Sequence, residues 1–83
     1  MAERLTMSDE QILQMYYDGS ESAIRETQAK YGRYLLAIAN GILGNAADAE
    51  ECVNDLYFRT WSGIPQANPQ NLKAYLTEAM RNI

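Results

Sequence analysis

The sequence predicts an all-α domain, a compact bundle of three main helices with a short helix before them. Apolar residues recur at spacings of three and four along almost the whole chain, which is the period of a helix. No segment alternates apolar and polar residues as a half-buried strand does. The 83 residues suffice for one domain, and the apolar content of 47% is typical of a folded chain.

The folded domain is expected over residues 8–83, after a flexible tail over residues 1–7. Ser8 and Gln11 form a capping-box pattern that predicts the start of a short first helix. Residues 18–20 then break it. Ser20 or Ser22 begins a second helix, which Gly44 ends. Its inward positions are predicted to be Ala23, Ile24, Thr27, Tyr31, Tyr34, Leu35, Ile38, Ile42 and Leu43.

The third and fourth helices are predicted from their caps. Asn45 caps a third helix that runs to about Trp61. Its buried face is expected to hold Ala49, Cys52, Val53, Leu56 and Trp61, and its outer face Glu50, Glu51, Asn54, Asp55 and Arg59. Residues 62–68 are expected to form a loop, with Asn68 capping the fourth helix and Pro69 at its first position. That helix carries Leu72, Tyr75, Leu76, Ala79 and Met80 on one side.

The composition excludes several function classes. The chain has no histidine and one cysteine, Cys52. A Ser–His or Cys–His catalytic pair, a disulfide within the chain and a CxxC metal site are therefore impossible, and the cysteine content favours a cytoplasmic protein. The acidic residues around Asp48 lack the pattern of a calcium loop, so no metal, cofactor or enzymatic activity is expected. No apolar run is long enough to span a membrane.

Residues 48–61 read Asp-Ala-Glu-Glu-Cys-Val-Asn-Asp-Leu-Tyr-Phe-Arg-Thr-Trp. This stretch resembles the region 2.2 helix of bacterial RNA polymerase sigma factors of the sigma-70 family, in particular the extracytoplasmic-function (ECF) class. Three neighbouring stretches resemble the same domain in the same order and with matching gaps. They are the turn over residues 18–23, the region 2.1 segment over residues 31–39, and the region 2.4 ending over residues 72–76 with Arg81 and Asn82. The resemblance covers residues 8–83.

The resemblance implies a domain that acts in transcription initiation. Region 2 docks on the clamp coiled coil of the largest subunit of core RNA polymerase. It also recognises and opens the promoter −10 element and captures a flipped base of the non-template strand. An anti-sigma factor is a further possible partner. The −35 element would be read by a separate region 4 domain, which we do not find in this chain.

The resemblance also implies two sets of site residues. The polymerase-facing residues would be Glu51, Asn54, Asp55, Tyr57 and Trp61. The DNA-facing residues would come from the segment 62–71 and the fourth helix, and include Asn68, Asn71, Lys73, Tyr75, Arg81 and Asn82. Glu51, Asn54 and Asp55 share one helix face, which suits a basic partner helix, and Tyr57 is expected as an aromatic anchor at the rim.

The residues themselves support the predicted DNA binding less than they support the predicted polymerase binding. Its candidate cations are few, chiefly Lys73 and Arg81, whereas Glu78 would repel phosphate. The net charge of −4 also disfavours strong binding to DNA. An alternative interpretation is therefore a sigma-like interaction module that binds polymerase or an anti-sigma regulator without recognising a promoter. A helical bundle whose sigma-like pattern is coincidental is a third alternative.

Overall fold

The computed structural model describes residues 7–82, which form the helices α1 (Asp9–Tyr17), α2 (Ser22–Leu43), α3 (Ala46–Ala67) and α4 (Leu72–Arg81). The predicted all-α bundle is confirmed. α2 and α3 share the most extensive interface, and α1 and α4 pack against both. Of the tail predicted over residues 1–7, residues 1–6 lie outside the described residues, and Met7 packs partly buried against the core.

The predicted helix starts are confirmed for α1 and α3. The Ser8 side chain accepts from the Gln11 backbone N–H, and the Gln11 side chain accepts from the Ser8 backbone N–H, which completes the capping box. Asn45 caps α3 by accepting from the backbone N–H of Asp48 at 3.0 Å. α2 begins at Ser22 without a side-chain cap and ends, as predicted, at Gly44 in the left-handed conformation.

α3 is longer than the sequence predicts. Residues 62–67, expected to be a loop, continue the helix, and Pro65 lies within its last turn. Proline inside a helix removes a backbone hydrogen bond and crowds the preceding turn, at a cost of about 3 kcal/mol. Ile64 is fully buried in the same turn. Its burial contributes about 1.5–3 kcal/mol, which offsets between about half and all of that cost.

The predicted start of α4 is wrong by three residues. Asn68 ends α3 in the left-handed conformation, which asparagine adopts more readily than most residues. Its backbone N–H reaches the Ile64 carbonyl at 2.8 Å. The cap of α4 is Asn71, whose side chain accepts from the Ala74 N–H at 2.9 Å. Pro69 therefore lies in the connection and not in the helix.

All four helices contribute to one core. Its buried apolar residues are Ile12, Leu13, Tyr16, Ala23, Tyr31, Leu35, Ala39, Ala49, Val53, Leu56, Tyr57, Ile64, Leu72, Leu76 and Met80. Three positions predicted to face inward are exposed instead, namely Tyr34, Ile42 and Leu43. Residues 40–48 are exposed throughout, so the last turn of α2 extends past the core and leaves Ile42 and Leu43 uncovered.

Candidate functional site

The outward side of α3 carries four exposed side chains at spacings of three and four residues: Glu51, Asn54, Asp55 and Phe58. Residues at these spacings lie on one face of a helix, and we call the four residues the α3 stripe. Phe58 is 79% exposed, more than any other large apolar side chain in the described part of the chain. The α3 stripe therefore combines polar groups with an unburied aromatic ring.

Phe58 was missed by the prediction from sequence. The signal that could have found it is its spacing, since it lies four residues after Asn54 and three after Asp55. It also borders a groove between α2 and α3, together with Ile24 and Trp61. Aromatic side chains that become buried on association contribute much of the binding energy of protein interfaces. Phe58 is therefore the candidate aromatic anchor on this surface.

Tyr57 and Trp61 lie off the α3 stripe. Tyr57 was expected as an exposed rim residue, and this expectation is wrong, because the residue is only 7% exposed. Successive residues of a helix are rotated by about 100°, which turns Tyr57 away from the exposed direction of Phe58 and towards Gly32 of α2. Trp61 is partly buried, and its ring contacts that of Tyr16 at a centroid distance of 6.4 Å.

The α3 stripe is negatively charged. Asp55 pairs with Arg59 at 3.1 Å, but both side chains are more than half exposed, so this ion pair stabilises the fold little. Within residues 7–82, Glu51 has no cationic partner. The stripe can therefore offer carboxylates to a basic surface, which favours rapid and oriented association.

A second candidate surface is an open groove between α2 and α4. Four of the six predicted DNA-binding residues line it, namely Asn71, Lys73, Arg81 and Asn82. Tyr34, Ala74, Thr77 and Glu78 complete its lining. We call this surface the α2–α4 groove. The fold thus brings both candidate cations and two of the predicted amides to one place.

Tyr34 forms the α2 side of this groove. The Thr77 hydroxyl donates to the Lys73 backbone carbonyl at 2.7 Å, so the Tyr34 hydroxyl is the donor to Thr77 at 2.8 Å. The Lys73 ammonium lies 4.8 Å from the centroid of the Tyr34 ring, within the range of a cation–π contact. Tyr34 therefore holds an aromatic face and a cation side by side. This residue was predicted only as a core position.

Asn68 and Tyr75 lie apart from the α2–α4 groove. The Asn68 side-chain oxygen accepts a hydrogen bond from the Tyr17 hydroxyl at 2.8 Å, which ties the end of α3 to α1. Tyr75 is partly buried, and its hydroxyl lies over Gly63 of α3. The structure therefore brings four of the six predicted DNA-binding residues together and separates these two from them.

The α2–α4 groove carries side chains of the kinds that proteins use to contact nucleic acid. Lys73 and Arg81 can bind phosphates, and the amides of Asn71 and Asn82 can both donate to and accept from base edges. Glu78 lines the same groove and opposes phosphate. In the part of the chain that the structure describes, no three Asp, Glu, Cys or His side chains are grouped so as to hold a metal ion. No helix there is long and apolar enough to cross a membrane.

The fold and its two surfaces define an all-α binding domain. Residues 28–83 match the model of the sigma-70 region 2 family, and since this range is more than half of the chain, the chain belongs to that family. It is a non-catalytic domain of transcription initiation, and region 2 domains of this family in general bind core RNA polymerase and promoter DNA. Comparisons with curated proteins and with solved structures give no significant match.

Proposed function

We propose that this chain is region 2 of an ECF-type sigma factor. It binds the clamp coiled coil of core polymerase through the α3 stripe and the promoter −10 element through the α2–α4 groove. The observation that carries the proposal is the α3 stripe, which lies on the helix holding the sigma-like motif of residues 48–61 and within the range that matches the family.

The polymerase half of the proposal follows from charge and shape. Glu51 and Asp55 present carboxylates on a rigid helix, and Asn54 adds an amide that can donate and accept. A basic helix of the clamp would meet these groups in a defined register. Phe58 would become buried on contact and supply apolar area. An anti-sigma factor that covered the same stripe would compete with the polymerase, and both partners would place the domain in the bacterial cytoplasm.

The Glu51→Lys/Asp55→Lys double variant tests this assignment. We expect capture of core polymerase by the 83-residue chain to be lost, because the variant presents two cations to a basic partner. A matched control is Glu10→Lys/Asp18→Lys, which makes the same change in net charge at exposed positions in α1 and at its C-terminal cap, away from the α3 stripe. The control should capture polymerase as the unchanged chain does.

Phe58→Ala extends the same test without changing charge. We expect it to weaken polymerase binding by about tenfold or more, the effect of removing an interface anchor. The side chain is exposed, so the variant should fold normally. Undiminished capture by both the double charge variant and Phe58→Ala would refute the assignment of the α3 stripe.

The DNA half of the proposal assigns different roles to the cations and to the amides of the α2–α4 groove. Lys73 and Arg81 would contact phosphates of the non-template strand, while Asn71 and Asn82 would bind base edges. Tyr34 could add a ring beside the strand, as single-strand binding surfaces often do. Asn68 and Tyr75 stay predicted DNA contacts outside the groove.

A second candidate function is the interaction module without promoter recognition. Glu78 in the α2–α4 groove and the net charge of −4 favour it, since both oppose phosphate. The two functions differ in one measurement. Sequence-dependent binding of a single-stranded −10 oligonucleotide by the complex of this chain with core polymerase would exclude the module, and its absence would favour it.

A further inference from the structure

The Tyr57 hydroxyl is the exception among the buried polar side-chain groups. Within residues 7–82 it is the one buried side-chain oxygen or nitrogen without a hydrogen-bond partner. Buried polar groups are almost always paired, and leaving one unpaired destabilises the fold. A phenylalanine ring would fill the same space without this cost. The hydroxyl oxygen of Tyr57 therefore adds no stability to the fold. This points to a role for the hydroxyl in binding a partner.

The hydroxyl lies at the floor of a small groove between α2 and α3. Gly32 stands opposite, and a Cβ atom added there would lie 3.6 Å from the hydroxyl oxygen. The same Cβ would lie 3.7 Å from Cγ of Gln28, whose exposed side chain borders the groove. The absence of a side chain at Gly32 thus leaves room for a small group beside the hydroxyl, in a groove that Gln28 also lines.

This groove is continuous with the α3 stripe. Its lining consists of Gln28, Gly32, Leu36, Glu50, Val53, Asn54 and Tyr57. Asn54 belongs both to this lining and to the α3 stripe. A partner seated on the stripe would therefore cover the mouth of the groove, and one of its side chains could enter.

The side chains of the groove determine which chemical group of a partner can bind there. Burial raises the pKa of Tyr57, so its hydroxyl stays protonated and can donate a hydrogen bond. Glu50 lines the same groove and would repel a second carboxylate. The fitting acceptor is therefore a neutral oxygen, such as the side-chain amide of an Asn or Gln residue.

We propose that Tyr57 is a specificity-determining contact for core polymerase, whose surface inserts a neutral oxygen acceptor between α2 and α3 to receive the Tyr57 hydroxyl. This inference rests on the proposed binding of polymerase by the α3 stripe. It also explains how a residue that is buried in the free domain can take part in docking, as the resemblance to sigma factors implies for this position.

The experiment is a comparison of Tyr57→Phe with Tyr16→Phe in the 83-residue chain. Both remove one buried hydroxyl, but that of Tyr16 bonds Thr27 at 2.7 Å and Thr60 at 3.3 Å. We expect Tyr57→Phe to bind core polymerase about fivefold more weakly while its melting temperature stays equal or rises. Tyr16→Phe should show the reverse, with a lower melting temperature and unchanged binding.

Gly32→Ala is a second variant, which tests whether polymerase uses the space beside the Tyr57 hydroxyl. Its Cβ would make ordinary contacts in the folded domain, and alanine favours a helix more than glycine does. We expect a higher melting temperature together with weaker polymerase binding, because the methyl group occupies the space for the acceptor.

Three results would overturn the inference. Binding of polymerase by Tyr57→Phe as tight as that of the unchanged chain would show that the hydroxyl makes no contact with polymerase. A loss of stability as large as that of Tyr16→Phe would show that the hydroxyl serves the fold. Failure of the unchanged chain itself to bind polymerase would refute the proposed function, and this inference with it.

Discussion

At the scale of single residues, a buried hydroxyl cluster fixes the relative positions of three helices. Tyr16 of α1 bonds the side-chain oxygens of Thr27 in α2 and Thr60 in α3. Each threonine donates its own proton to a backbone carbonyl of the preceding turn, so the one proton of the Tyr16 hydroxyl is donated within the cluster, chiefly to Thr27 at 2.7 Å. All three residues are almost fully buried. Buried polar side chains stabilise the fold only when each has a hydrogen-bond partner, and all three hydroxyl groups have one here.

A second residue-scale contact is sensitive to pH. The Tyr31 hydroxyl donates to both carboxylate oxygens of Asp9 at 2.8 Å, and Lys30 binds the same carboxylate at 2.7 Å. Burial, followed by the hydrogen bond to the Asp9 carboxylate and its charge, raises the pKa of Tyr31 to about 12. In the unfolded chain the pKa of tyrosine is about 10.

We therefore predict that Tyr31 makes stability fall at high pH. Its contribution is fully present below pH 10 and is lost between about pH 10 and pH 12, because the unfolded chain loses the phenol proton first. Tyr31→Phe has no such proton. The difference in free energy of unfolding between the unchanged chain and Tyr31→Phe should shrink over this interval, as measured by denaturant titration at several pH values. A difference that stays constant up to pH 12 would contradict the prediction.

At the scale of helices, the extra turn of α3 provides a surface on which a side chain of α4 lies. The turn of residues 62–67 carries Gly63, and Tyr75 of α4 crosses it so closely that a Cβ atom at Gly63 would lie 2.6 Å from the Tyr75 hydroxyl. Such a distance is too short for an unchanged structure. The glycine therefore leaves room for the Tyr75 hydroxyl against α3, where the Tyr75 side chain is partly buried.

A double-variant comparison tests this packing. We predict that Gly63→Ala alone gains nothing or loses stability, because the methyl group displaces the Tyr75 ring. In the Tyr75→Phe background the same substitution should be stabilising, by up to about 1 kcal/mol, since alanine favours a helix over glycine. Thermal or denaturant unfolding of the four chains measures the coupling. Equal effects of Gly63→Ala in both backgrounds would show that a methyl group at position 63 does not contact the Tyr75 hydroxyl.

At the scale of the whole molecule, the two candidate surfaces have no residue in common. The α3 stripe is formed by residues 51–58, whereas the α2–α4 groove is formed by Tyr34 and by side chains of residues 71–82. Changes at distant sites without shared partners usually act independently. Polymerase binding and DNA binding should therefore be separable by substitution.

We predict that Lys73→Gln/Arg81→Gln leaves binding to core polymerase unchanged and weakens binding of a single-stranded −10 oligonucleotide by the assembled complex. Each lost phosphate contact should lower the slope of log affinity against log salt concentration by about 0.7, so the double variant should lower it by about 1.4. Phe58→Ala should reduce assembly and leave the slope unchanged. A slope unaffected by the double variant would exclude these two cations as phosphate contacts.

The sequence by itself determined the elements and the family. The apolar period predicts helices, and the caps at Ser8 and Asn45 and the glycine at Gly44 are local signals that the structure retains. These features depend on residues within one turn of each other, so they can be read without knowing the fold. The motif over residues 48–61 likewise pointed to sigma region 2 before any packing was known.

Only the tertiary structure decided which side of each helix is covered and where α3 ends. Pro65 reads locally as a break, but the burial of Ile64 against the core keeps the helix intact. Tyr57 and Phe58 are neighbours of similar apolar character, yet one is buried and the other exposed. Likewise, only the approach of α2 to α4 places Tyr34 beside Lys73. In each case the deciding free energy comes from contacts between residues far apart in the chain, which the local pattern does not contain.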